Sequence, residues 1–98
     1  MAYARHRSDL INYELHPGGA LRLYREISGL PWVRDVALDD FLTPMEAAVV
    51  INVHRVTVYD WISGGLLQPY EPVEGGNRET WLLWGEVYQF GRARGLVA

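Results

Sequence analysis

The stretch that most limits this chain is residues 42–67, LTPMEAAVVINVHRVTVYDWISGGLL. It reads as two short helices joined by a tight turn and closed by a glycine stop. Thr43 is a good N-cap, because its hydroxyl accepts a hydrogen bond from an orphan backbone N–H. Pro44 follows at the first helical position, where its missing N–H costs nothing. Glu46, three residues after Thr43, completes a capping box. Ala47, Ala48, Val50 and Ile51 form a compact apolar face, and the two alanines permit close approach of another helix. Asn52 suits a turn with positive φ. A second helix is expected over residues 55–63, with Val58, Ile62 and Trp61 at helical spacing on its inner side. Gly64 and Gly65 end it, since glycine takes a left-handed cap readily. Leu66 and Leu67 are then expected to fold back onto the core.

These residues carry a resemblance. Thr43-Pro44-Met45-Glu46-Ala47-Ala48, Asn52-Val53-His54-Arg55, Thr57-Val58-Tyr59-Asp60-Trp61-Ile62 and Gly65-Leu66-Leu67 together resemble the winged helix-turn-helix of the MerR and phage excisionase group. Residues 68–73 look like the first wing strand, Glu74-Gly75-Gly76-Asn77 like the hairpin turn, and residues 78–83 like the returning strand. Residues 86–94 look like the short helix that follows. The likeness covers residues 42–94. It implies an α+β, mainly helical fold: a winged helix-turn-helix domain (42–98) with a small β-hairpin wing, preceded by an N-terminal extension (1–41). It also implies a cytoplasmic double-stranded-DNA-binding protein of transcription regulation, recombination or genome packaging, of phage or mobile-element type.

The DNA-facing residues implied are Arg55, Thr57 and Tyr59 on the second helix and Arg78 beside the wing turn. His54 and Asn77 stand at the same side. Arg55 reads as a bidentate guanine contact or a phosphate contact, and otherwise as a solvent-exposed first-turn residue. Thr57 and Tyr59 read as base-edge or backbone contacts, or as capping and packing residues. His54 stands where a serine N-cap is common and reads more simply as a turn residue. Arg78 has an alternative as a cross-strand partner of Glu74 or Glu79. Asp60 reads as a solvated helix residue rather than a cytosine contact.

Charge pulls the other way. The 98 residues carry 9 basic and 12 acidic side chains, for a net charge of −3, and every basic residue is arginine. Phosphate neutralisation supplies most non-specific DNA affinity and normally needs a basic face. The alternative reading is therefore a winged-helix protein–protein interaction module, docked on a basic partner or on the transcription or replication machinery. Net charge is not face charge, so arginines gathered on one side remain compatible with DNA.

Several classes are disfavoured. Without cysteine there is no disulfide framework and no thiolate zinc site. His6, His16 and His54 have no metal-ligand spacing. No Ser-His-Asp set, phosphate-cradling loop or HExxH run is present, so no enzyme, cofactor or metal is expected. No apolar run approaches the length of a membrane span. Residues 1–9 lack the pattern of a secretory signal.

The first 40 residues are punctuated by Pro17-Gly18-Gly19 and by Gly29 and Pro31. The preferred reading of residues 20–28 is a short amphipathic helix built on Leu21, Tyr24 and Ile27. The competing reading is a hairpin pairing residues 13–15 with 21–23 across the Pro-Gly-Gly turn. Residues 32–38 fit a short extended segment. Arg5, His6 and Arg7 form a small basic tip, read as solvated terminus rather than a minor-groove arm. The long dimerisation helix of MerR regulators has no counterpart, so a homodimer or array is expected to form through the extension. Of the four tryptophans, Trp61 and Trp81 are expected in the core, with Trp84 and Trp32 as candidate interface anchors.

Overall fold

Leucines 21 and 23 point the same way only if the backbone is extended, and that decides the N-terminal third. The computed structural model describes residues 11–27, 29–71 and 80–97. Strands β1 (Ile11–Leu15), β2 (Leu21–Ile27) and β3 (Leu30–Val36) form one antiparallel sheet in that order. A 3-10 turn at Pro17–Gly19 joins the first two strands, with Gly18 and Gly19 at φ 87° and 97°. The register pairs Tyr13 with Leu23 and Leu15 with Leu21, then Leu21 with Val36 and Arg25 with Trp32. The helix expected over residues 20–28 is therefore replaced by the competing hairpin. A helix of that length bounded by glycines is marginal alone. As a central strand the same residues satisfy their backbone on both sides and bury Leu21 and Leu23.

The remaining elements follow: β4 (Phe41–Leu42), α1 (Pro44–Ile51), α2 (Arg55–Ser63), β5 (Leu82–Leu83) and α3 (Trp84–Ala93). β4 pairs antiparallel with β5, and Tyr70 bridges to Trp81 beside them. The described residues are about 39% helical and 31% strand, so the mainly helical class expected from sequence is corrected to a balanced α+β fold. The cause is the N-terminal ribbon, which supplies three of the five strands. The wing-turn residues 74–77 lie outside the described residues, as does the basic tip at residues 5–7.

One apolar cluster joins both parts of the chain. Ile11, Leu21, Leu23 and Val36 from the sheet are buried with Ala47, Val50 and Ile51 from α1, Val58 from α2 and Val87 from α3. Its largest fully buried side chain is Trp84, at 0% exposure. Its indole N–H donates to the Gly19 carbonyl at 2.6 Å, across 65 residues of sequence. Trp84 is thus a core residue and not an interface anchor. Trp61 and Trp81 are only half-buried. α3 starts at Trp84, two residues before the expected position. Leu67 is buried as expected, but Leu66 is exposed.

Glycine is required at two close approaches. A Cβ at Gly19 would lie 2.8 Å from Leu38 Cδ2, and one at Gly85 would lie 2.7 Å from the Leu38 carbonyl oxygen. The Gly85 N–H uses that approach to donate to the same oxygen at 2.8 Å.

Glu46 is the buried charged residue of this core, at 4% exposure. Its carboxylate accepts from the Thr43 N–H at 3.0 Å and from Arg34 at 2.8 Å. Arg34 also donates to the Phe41 carbonyl at 3.0 Å. By contrast, Arg22 and Asp35 form an exposed pair on the outer face of the sheet. Hydrogen bonding from Arg22 holds the Asp35 carboxyl below its ordinary pKa, but exposure keeps such a pair weak.

Two outcomes are expected in denaturant unfolding. Trp84→Phe leaves the Gly19 carbonyl unpaired and a void beside it, and lowers stability by about 2–4 kcal/mol. Arg34→Met strands the buried Glu46 carboxylate and costs about 3 kcal/mol, and adding Glu46→Gln recovers part of that loss.

Candidate nucleic-acid interface

The two-helix unit is built by local hydrogen bonds. Thr43 Oγ1 accepts from the Glu46 N–H at 3.2 Å, and Glu46 returns the bond to Thr43, closing the capping box. At the other end of α1, Asn52 takes a left-handed conformation with φ 59° and ψ 51°. That lets the N–H groups of Asn52 and Val53 bond back to Val49 and Ala48. The chain is then turned into α2 with only a short connection.

α2 is capped by His54, whose Nδ1 accepts from the Val56 N–H at 3.2 Å. This bond requires the tautomer with its proton on Nε2. Val58 holds the inner side of α2 fully buried. Trp61 packs edge-on against Phe90 of α3, with ring centroids 4.8 Å apart. Arg94 lies over both rings. The helix is therefore fixed along one side only.

The opposite side is open. Val56, Tyr59, Asp60 and Ser63 recur at spacings of three and four residues, and all are exposed, as is Arg55 at the helix start. Val56 and Tyr59 are 54% and 48% exposed, unusually open for apolar and aromatic side chains. Arg55 has no carboxylate partner among the described residues. Thr57 is half-buried at the edge of this surface. Of the residues expected to face DNA, His54, Arg55, Thr57 and Tyr59 lie together on α2 and its cap. Arg78 and Asn77 fall outside the described residues.

The Tyr70 hydroxyl donates to Glu86 at 2.8 Å. That hydrogen bond raises the Tyr70 pKa above its ordinary value. The Tyr70 ring also meets Phe41 edge-on at 5.5 Å. Tyr70 is thereby held to α3 and β4.

Sequence reading missed a second part of this surface. A groove of about 620 Å³ lies between Arg25, Trp32 and Arg34 of the sheet and the start of α1, Thr43 to Glu46, with Tyr59 of α2 and Trp81 at its sides. Arg25 and Trp32 are direct cross-strand partners, a pairing visible in the sequence only when residues 21–27 are read as a strand. Among the described residues no three His, Asp or Glu side chains gather to hold a metal ion. No described helix is long and apolar enough to cross a membrane.

No protein-family model, curated protein or solved structure matches this chain. The site is therefore read from its own geometry and chemistry.

Replacing His54 tests whether the displayed helix depends on its cap. His54→Ala is expected to cost about 1 kcal/mol in urea unfolding, and His54→Asp to restore it through an acceptor favoured by the helix dipole.

Proposed function

We propose that this protein is a small double-stranded-DNA-binding protein of transcription regulation, recombination or genome packaging. α2 is its recognition helix, laid in the major groove. Arg55, Thr57 and Tyr59 contact bases and phosphates there, His54 sits at the backbone, and Asn77 and Arg78 add wing contacts. The observation that carries this reading is the one-sided fixing of α2. Val58 and Trp61 tie one side to the core, while Arg55 and the Val56–Tyr59–Asp60–Ser63 stripe are presented outward. A short helix joined by a tight turn to a second, supporting helix is the geometry that helix-turn-helix proteins insert into DNA. The resemblance of residues 42–94 to MerR and excisionase winged domains supports the same function.

A second reading is favoured by one feature of that stripe. Asp60 stands exposed where the winged domains the chain resembles commonly carry a basic residue, and Val56 and Tyr59 expose apolar surface. Such a surface suits docking on a basic or mixed protein partner, since fold alone does not set function.

Titration of the full chain against mixed-sequence duplex DNA separates the two. The DNA reading expects binding that weakens as salt rises and drops about tenfold in Arg55→Ala. Absence of binding at low salt, with Arg55→Ala indistinguishable from the unsubstituted chain, sinks it.

A further inference from the structure

The inner face of the N-terminal ribbon changes character along its length. Near Leu21, Leu23 and Val36 it is buried in the core. One pair further along, at Arg25 and Trp32, it is only half-buried. There it forms one wall of the groove whose other side is the start of α1, Thr43 to Glu46, together with Tyr59 of α2. The groove is thus continuous with the outward surface of the recognition helix.

Its charge is set by two arginines. Arg34 is committed to the buried Glu46 carboxylate. Arg25 lies over the Trp32 ring, 5.3 Å from its centroid, and has no carboxylate partner among the described residues. The ring holds the guanidinium in place, with its donors free of any carboxylate among the described residues. A further donor in the groove wall, the Trp81 indole N–H, is buried and without an acceptor among the described residues. A guanidinium without a carboxylate partner among the described residues, set in a groove wall, calls for an anionic occupant.

We propose that the groove between β2–β3, the start of α1 and Tyr59 of α2 seats a sugar–phosphate strand of the bound duplex, with Arg25 gripping a phosphate. This rests on the DNA-binding reading and extends it. The N-terminal sheet becomes a second clamp, facing the start of α1 and Tyr59 of α2 across the groove. Arg25 adds affinity for any sequence and reads no base, because a phosphate contact positions without specifying.

Arg22 provides the control. It sits on the same strand and carries the same charge, but on the outer face and bonded to Asp35. In a fluorescence anisotropy titration with a mixed-sequence duplex at several salt concentrations, Arg25→Gln is expected to weaken binding about tenfold. It should also reduce the slope of log affinity against log salt by about 1. Arg25→Lys keeps the slope near that of the unsubstituted chain, and Arg22→Gln leaves both quantities unchanged. Indole N–H signals give an independent reading on the unsubstituted chain. Those of Trp32 and Trp81 shift as duplex is added, and that of Trp84, bonded to Gly19 in the core, does not. The inference is overturned if Arg25→Gln matches Arg22→Gln while Arg55→Ala still weakens binding. Trp32 and Trp81 signals that stay fixed on a saturated duplex overturn it too. A chain that binds no duplex at low salt overturns this inference and the function it rests on together.

Discussion

The Glu46 carboxylate is the point on which the rest of the structure turns. One buried side chain closes the cap of α1, through the Thr43 N–H, and receives Arg34 from the sheet. Arg34 reaches on to the Phe41 carbonyl, so three separate segments meet at a single charge pair. Burying such a pair carries a desolvation cost, and its net contribution to stability is small. What it supplies is geometry. It fixes where α1 begins, Asn52 fixes where α1 ends, and α2 inherits its direction from both. The same pair anchors the ribbon to the start of α1 and so sets one end of the groove that Tyr59 of α2 also lines.

Much of the helical part was legible because its signals are local. A cap, a proline at the first position, a left-handed asparagine and a glycine stop all act within four residues of themselves, and each sits where the sequence placed it. The ribbon was harder for a physical reason. Leu21, Tyr24 and Ile27 fit a helix, while Leu21 and Leu23 fit a strand, and only the flanking strands decide between them. Trp84 shows the same limit more sharply. Its burial depends on a carbonyl far away in sequence, so neither periodicity nor neighbours distinguish it from Trp61. The groove escaped for that reason too, since Arg25 and Trp32 become neighbours only through strand pairing.

The electrostatics are resolved by location rather than by sum. Arg22 is held by Asp35 and Arg34 by Glu46, while Arg92 and Arg94 lie over aromatic rings. Arg25 and Arg55 have no carboxylate partner among the described residues, and both belong to the surface around α2. An acidic chain can thus offer a locally cationic face. The exposed Val56 and Tyr59 add contact area without charge.

The approach of Gly85 to the Leu38 oxygen has a consequence for ancestry. A methyl group there would collide with backbone, which cannot swing aside as a side chain can. The exposed residues of α2 meet no such barrier, whereas this spot admits hydrogen alone. Descendants of a common ancestor would therefore keep a Trp-Gly pair opening the last helix and a Pro-Gly-Gly corner far upstream, even after the groove-facing residues had diverged beyond recognition. That sparse fingerprint, rather than the helical stretch that first draws the eye, is the thread by which distant kin can be traced.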